Sequence, residues 1–93
     1  MLEVKPSSRF KTSYKRILKH KSFKQEIFDY VIFMLSSQIE LPTKFKDHEL
    51  TSNHKGKREC HLAPDLLLIY SIEDEVLILN LLDVGTHSGL FGK

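Results

Sequence analysis

The sequence predicts an α+β domain of order β-α-α-β-β-β, in which two helices pack on one face of a small antiparallel sheet. Three observations predict it. Apolar and polar residues alternate over residues 2–6, apolar residues recur at helical spacing between residues 10 and 38, and two apolar runs between residues 65 and 82 flank a polar turn. A chain of 93 residues has room for one hydrophobic core, so we expect a single domain over residues 1–93.

The two predicted helices are amphipathic, and capping signals precede them. Ser7 or Ser8 can cap the first helix, and Ser22 with Gln25 has the spacing of a capping box for the second. Such aromatic-rich stripes are more often core than ligand site. The stripes consist of Phe10, Tyr14, Ile17 and Leu18 in the first helix and of Phe23, Ile27, Tyr30, Val31, Met34 and Leu35 in the second.

Residues 39–56 show no sustained period and predict a long loop before the strands of the C-terminal third. A loop of this length in a small domain is usually functional or disordered. We favour a functional loop, because it carries the ionisable side chains of Asp47, His48, Glu49 and His54.

The strand predicted at residues 58–62 has a two-residue period that separates its side chains. Cys60 and Leu62 share one face, and Glu59 and His61 share the other. If the apolar face packs on the helices, His61 points outward from a face of the sheet that is left open. Cys60 is the only cysteine, so it cannot form an internal disulfide, and we interpret it as a small strand residue.

Two kinds of segment are not predicted from the sequence. The apolar stretches are much shorter than the roughly 20 residues of a membrane-spanning helix, and residues 1–10 lack the apolar block of a signal peptide. The sequence therefore predicts a cytoplasmic protein with no membrane partner.

The charges are segregated along the chain. Residues 1–24 contain eight basic residues and one acidic residue, whereas residues 59–92 contain six acidic residues and no lysine or arginine. A segregated basic surface attracts polyanions such as nucleic acid, and Lys11, Lys15 and Lys19 of the first helix are candidate RNA contacts. The alternative is that these lysines form a solvated helix face.

Four side chains on loops or strand ends, His48, His61, Asp65 and His87, are expected to meet over the open face. Histidine titrates near neutrality, so one imidazole can take a proton while a second gives one, as cleavage of a phosphodiester by a neighbouring ribose hydroxyl requires. Arg58 and Lys57 are the nearest cations to offset the charge that develops on the phosphate.

The same histidines and aspartate are also a plausible set of metal ligands. The sequence contains no HExxH motif and no paired cysteines, so neither a metal nor a cofactor is predicted. Each histidine taken alone also has a surface or structural interpretation. Composition and spacing alone predict no more than a basic α+β domain that binds RNA.

Three segments resemble the signature segments of the YafQ-like branch of the RelE superfamily of bacterial toxins, in the same order and at the same separation. They are KFKDHEL (Lys44–Leu50), KRECHLAPDLLLIY (Lys57–Tyr70) and GTHSGLF (Gly85–Phe91). The resemblance implies a RelE-like fold and a toxin of a type II toxin-antitoxin system. It also implies an endoribonuclease that cuts mRNA in the ribosomal A site without a metal.

The resemblance further implies partners and site residues. A cognate antitoxin would wrap the toxin, block its site and connect it indirectly to operator DNA. Arg58 matches a basic position common in the superfamily, and the aromatic of the site would stack on or wedge beside a base. The implied catalytic residues are His48, His61, Asp65, His87 and Phe91.

One position departs from the pattern of these toxins. Four residues before the GTH histidine they usually carry an arginine, thought to stabilise the scissile phosphate, and this chain has Asp83. A carboxylate there repels the phosphate, so either Arg58 and loop lysines such as Lys55 take over, or activity is weak. Two alternatives therefore stay open: a catalytically weak or inactive relative that acts as an antitoxin-binding regulatory subunit, and a generic basic RNA-binding domain.

Overall fold

The computed structural model describes residues 1–51, 54 and 56–92 as an α+β domain, which confirms the predicted class. Its five strands are β1 (Glu3–Pro6), β2 (His48–Glu49), β3 (Arg58–Ala63), β4 (Leu66–Glu73) and β5 (Ile78–Gly85). Its helices are α1 (Ser8–Ile17), α2 (Gln25–Ser36) and α3 (His87–Phe91), and a short 3₁₀ helix spans Thr43–Phe45. The predicted order lacked the 3₁₀ helix, β2 and α3, which lie in the segments expected to be loops.

The sheet has the strand order β1-β5-β4-β3-β2. Strands β3, β4 and β5 form the antiparallel meander that the sequence predicted, and β2 adds to the free edge of β3. The prediction of a purely antiparallel sheet was wrong at one edge, because β1 pairs with β5 in parallel, with Val4 opposite Leu79. Parallel neighbours need a long connection, and the helices and the meander between β1 and β5 provide it.

The main core lies between the helices and one face of the sheet. In β4, alternate residues Leu66, Leu68 and Tyr70 belong to this core, together with Phe10 of α1 and Val31 of α2. Packing of these apolar side chains contributes most of the stability of a domain of this size. The helices therefore cover one face of the sheet, as the sequence predicted.

The opposite face is not open at its centre, so that part of the prediction was wrong. Leu67 and Ile69 of β4 lie on this face and are 1% and 7% exposed, and Glu59 of β3 is 4% exposed. His61, on the same face of β3, is only partly buried. Burial of a carboxylate is costly without a partner, and the partner of Glu59 proves to be one of the predicted site histidines.

The start of α1 was predicted correctly, and that of α2 was not. Ser7 caps α1 by accepting the backbone N–H of Phe10 at 3.0 Å, and its hydroxyl donates to the carbonyl of Leu82 at 3.0 Å. Ser22 does not cap α2, which begins at Gln25 without a side-chain cap. The backbone N–H of Ser22 instead donates to Nδ1 of His20, at 3.1 Å, in the turn between the helices.

Among the helices of the described residues, none combines the length and the apolar character needed to cross a lipid bilayer.

Two buried groups that ionise at high pH, the thiol of Cys60 and the hydroxyl of Tyr70, should make the protein less stable in alkali. Burial raises the pKa of Cys60, with smaller contributions from the charges of Asp47 and Glu59, and burial and a hydrogen bond with Asp47 raise the pKa of Tyr70. Each group therefore stays protonated in the folded state at a pH where it ionises in the unfolded chain. The stability that each contributes is complete below the unfolded pKa and is lost as the pH rises above it.

We therefore expect the free energy of unfolding to fall above about pH 8.5, where the thiol of an unfolded chain ionises, by up to about 1.4 kcal/mol per pH unit. Cys60→Ala should remove this first decline and leave the one that begins near pH 10, the pKa of an ordinary tyrosine. Urea unfolding of both proteins at pH 7.5, 8.5 and 9.5 measures the effect. Equal slopes for the two proteins would contradict the assignment to Cys60.

Candidate active site

Three predicted site residues lie on neighbouring strands at the same end of the sheet. The strand register puts His61 opposite Leu67, and Leu67 opposite Gly85, in a single row across β3, β4 and β5. Asp65 precedes Leu67 by two residues and His87 follows Gly85 by two residues. In antiparallel strands these two positions lie at the same level, just beyond the row. His61, Asp65 and His87 are thus contributed by neighbouring strand ends.

The tail that carries His87 is a short helix and not the loop that the sequence suggested. Thr86 caps α3 by accepting the backbone N–H of Gly89 at 3.1 Å. His87 and Phe91 are four residues apart, so they lie on one side of the helix, and their ring centroids are 5.1 Å apart. His87 is exposed and Phe91 is partly buried, which leaves the imidazole accessible to a ligand.

Phe91 also contacts the loop that precedes β3. The rings of His54 and Phe91 meet edge to face with their centroids 5.9 Å apart. This contact brings the predicted functional loop to the predicted site helix. His54 is a residue to which the sequence assigned no individual role, and this contact between distant segments connects it to the site.

His48 lies in β2, directly opposite Glu59 of β3. Its Nδ1 is 2.7 Å from the carbonyl oxygen of Lys46, and its Nε2 is 3.4 Å from Oε1 of Glu59. Both ring nitrogens thus face acceptors, so a protonated ring can donate to both. The buried carboxylate of Glu59 holds the ring on the same face of the sheet as His61, which lies two residues further along β3.

Glu59 is the positioning residue that the sequence analysis missed. The two-residue period of the strand did place it on the same face as His61, and that was the available signal. The pairing with β2 could not be predicted, because β2 contains only two residues, His48 and Glu49.

Arg58, a predicted phosphate ligand, lies on the other face of the sheet. Its Nη2 is 3.2 Å from Oδ2 of Asp47, and its Nε donates to the hydroxyl of Tyr70 at 3.2 Å. The Tyr70 hydroxyl in turn donates to Oδ1 of Asp47. Partial burial acts to lower the pKa of Arg58, but the hydrogen bonds with Tyr70 and Asp47 and the charge of Asp47 raise it further, so the net shift is upward.

These contacts give Arg58 a structural role. It anchors Asp47 to the core tyrosine, and Asp47 immediately precedes His48. A guanidinium that is held by two protein partners and is directed away from His61 does not face the histidine side of the sheet. The aspartate and the histidine of the KDH segment therefore have different tasks, since one fixes the segment and the other is presented to the site.

The carboxylate of Asp83 is directed toward α1 and accepts two hydrogen bonds. Its Oδ1 accepts the hydroxyl of Ser13 at 2.6 Å and the backbone N–H of Val84 at 2.9 Å. The register of β5 shifts nearby, because Ile69 is opposite Asp83 while the next residue of β4 is opposite Leu81. A bulge of this kind re-aims side chains, and Asp83 reaches α1.

The remaining predicted phosphate ligands are distributed around the domain. Lys11, Lys15 and Lys19 are exposed along and just after α1, and Lys57 is partly buried before β3. Lys55 lies outside the described residues. Within residues 1–51, 54 and 56–92, three or more histidine, cysteine or acidic side chains do not come together in an arrangement that could hold a metal ion.

Comparison with known proteins gives the class of this domain. Its fold is that of small bacterial toxins of type II toxin-antitoxin systems, and structures of such toxins superpose on nearly the whole chain. The family described as "Bacterial toxin of type II toxin-antitoxin system, YafQ" matches residues 2–92. The chain therefore belongs to the YafQ toxin family.

Three relatives illustrate the similarity. The mRNA interferase toxin YafQ of Escherichia coli (strain B / BL21-DE3) is 31% identical over 90 residues, which cover 97% of this chain and 96% of that protein. A metal-bound toxin from Helicobacter pylori has a TM-score of 0.90 and 38% identity, over 98% of this chain and 100% of the other. YafQ in the E. coli DinJ-YafQ complex has a TM-score of 0.85 and 32% identity, over 99% and 100%.

Proposed function

We propose that this toxin is an mRNA interferase that cuts mRNA in the ribosomal A site by acid-base catalysis and without a metal. The observation that carries the proposal is the strand register, which puts His61, Asp65 and His87 at the same end of the sheet, with His48 opposite Glu59, two residues from His61 along β3. The relative from E. coli strain B that matches nearly the full chain is an mRNA interferase, which supports the same activity here.

The chemistry needs a base and an acid on opposite sides of the scissile phosphodiester. The base removes the proton of the ribose 2′-hydroxyl, whose oxygen then attacks phosphorus, and the acid gives a proton to the departing 5′-oxygen. In this proposal His61 and His87 exchange these protons, and Asp65 orients an imidazole or serves as the base. His48, whose ring is held between the carbonyl of Lys46 and the carboxylate of Glu59, adds a third imidazole to the site. The ring of Phe91 stacks on or beside a nucleobase of the RNA.

The proposal includes two macromolecular partners. The E. coli relative forms a toxin-antitoxin complex with DinJ, which supports a cognate antitoxin that binds this chain. In this proposal the antitoxin also connects the toxin indirectly to operator DNA. The exposed lysines of the α1 region, Lys11, Lys15 and Lys19, provide a basic surface for ribosome and mRNA. Action on ribosomes would place the protein in the cytoplasm.

Asp83 supports a second candidate function. A carboxylate at a position where the related toxins usually have an arginine removes a cation from the transition state. The chain would then be a catalytically weak or inactive toxin that acts by binding its antitoxin. A generic RNA-binding domain is the weaker alternative, since it does not explain why three signature segments occur together.

In vitro translation with mapping of mRNA 5′ ends tests the proposal. Purified protein should produce new 5′ ends within translated codons, the cuts should require ribosomes, and EDTA added to a ribosome-free assay with naked RNA shows whether any residual cleavage needs a metal. The relative with a bound metal makes this last arm necessary. Binding of the antitoxin without any new 5′ ends would favour the regulatory function instead.

A further inference from the structure

A cleft of about 250 Å³ separates the C-terminal half of α1 from α3, and the end of β5 forms its floor. On one side it is lined by Ser13, Arg16 and His20, with Lys19 beside them, and on the other by Thr86 and Gly89. Thr86 directly precedes His87, so one wall of this cleft is the helix that carries a proposed catalytic histidine. None of the three candidate catalytic histidines lines the cleft itself.

The cleft is cationic despite the presence of Asp83. Arg16 and Lys19 are exposed, so both side chains can reach a ligand in it. Arg16 lies three residues after Ser13, so the two share one face of the helix. Asp83 is the one acidic residue among those that line the cleft, and its Oδ1 accepts hydrogen bonds from Ser13 and from Val84. Both bonds disperse its charge.

His20 adds a hydrogen-bond donor to the same wall. Its Nδ1 accepts the backbone N–H of Ser22 at 3.1 Å, so in the neutral ring the proton is on Nε2. The ring therefore has an N–H to donate whether it is neutral or charged. A guanidinium, an ammonium and an imidazole N–H along one side of a cleft form a set of donors suited to a phosphate.

We propose that this cleft binds a backbone phosphate of the RNA strand next to the one that is cut, with Arg16 and Lys19 as its main ligands. The inference rests on the proposed function for the identity of the RNA as substrate. The Ser13–Asp83 hydrogen bond ties α1 to the end of β5 and so keeps Arg16 in the wall of the cleft.

The test compares two double variants that remove the same charge from the same region. Arg16→Gln/Lys19→Gln alters the cleft, whereas Lys21→Gln/Lys24→Gln alters exposed cations after α1 that do not line it. Each protein is assayed for anisotropy of a fluorescent, non-cleavable 2′-O-methyl RNA across a salt series, and for cleavage of ordinary RNA on ribosomes. Thermal unfolding checks that all proteins are folded.

The cleft variant should bind the 2′-O-methyl RNA at least tenfold more weakly than the control variant. Its log–log salt dependence should be shallower by about 0.7 for each phosphate that the protein no longer neutralises. Equal weakening in both variants, or none in either, overturns the inference. So does a cleft variant that binds the RNA as tightly as the wild-type protein.

The two failures can be told apart. If the wild-type protein cleaves no RNA but the cleft variant still loses RNA binding relative to the control, the phosphate site stands and the proposed activity falls. If the wild-type protein cleaves and both variants cleave and bind alike, the activity stands and the phosphate site falls.

Discussion

Replacement of His87 by alanine is expected to lower the single-turnover cleavage rate by about 10²–10⁴-fold, the amount that a positioned acid or base contributes. The fold should survive, because His87 is exposed at the first position of a five-residue helix. Exposed positions of this kind usually change the free energy of unfolding by no more than about 0.5 kcal/mol. Quench-flow cleavage and urea unfolding of the same samples measure the two effects.

His54→Ala is the matched control for His87→Ala. His54 is also a histidine whose ring contacts Phe91, with the centroids 5.9 Å apart against 5.1 Å for His87. If His87 acts only by packing against Phe91, the two variants should lose similar activity. If His87 transfers a proton, its variant should be slower by a further factor of ten or more. Full activity of His87→Ala would remove this residue from the proposed site.

The parts of the fold that were predictable depend on patterns that are local in the sequence. Ser7 caps α1 through a contact with Phe10, three residues away, and such contacts follow from spacing alone. The alternation in β3 placed Cys60 in the core for the same reason. The capping box at Ser22 failed because the turn between the helices uses that backbone N–H for His20, a local competition that periodicity does not reveal.

The parts of the site that were not predictable depend on contacts between distant residues. Asp83 and Ser13 are 70 residues apart in the chain, and their hydrogen bond decides where the carboxylate points. Arg58 was a reasonable phosphate ligand by charge, but Asp47 and Tyr70 occupy it on the other face. In both cases the residue type suggested a function. The hydrogen-bond partners of the side chain determine whether it can perform that function.

The segment from Lys46 to His48 shows how structure and chemistry share one motif. Lys46 has a left-handed backbone with φ of 50°, which turns the chain out of the 3₁₀ helix. Asp47 then points to Arg58 and Tyr70, while His48 pairs with Glu59 on the opposite side of the sheet. Alternation along an extended chain requires these two neighbours to face opposite ways. The hydrogen bonds that anchor Asp47 therefore also direct His48 toward the opposite face of the sheet.

Asp83→Arg is expected to increase the single-turnover cleavage rate, by at most about 10²–10³-fold, since that is what one positioned donor to a developing oxyanion contributes. The substitution replaces a negative charge by a positive one near the end of β5, where α3 and His87 follow. Arginine is also long enough to reach beyond the bulge toward the row that contains His61 and Gly85. The resemblance of the GTHSGLF segment to YafQ-like toxins implies an arginine at this position, and the substitution would restore its phosphate contact.

The substitution should also lower stability. Ser13 is 9% exposed, and its hydroxyl, like the backbone N–H of Val84, would lose its acceptor. A buried donor without a partner costs about 1–3 kcal/mol, so the folded fraction of the variant has to be measured under the conditions of the cleavage assay. Placing a third cation beside Arg16 and Lys19 adds repulsion that salt would relieve.

Asp83→Asn separates the two sources of the expected gain. Asparagine removes the negative charge and keeps an oxygen that can accept from Ser13, but it supplies no cation. If Asp83→Asn and Asp83→Arg are equally fast, the gain comes from the removal of repulsion, and the added positive charge contributes nothing. If Asp83→Arg is faster by a further factor of ten, the added cation stabilises the scissile phosphate. If neither variant exceeds the wild-type rate, Asp83 lies too far from the scissile phosphate to affect it, and this toxin cuts RNA with a different arrangement of charge.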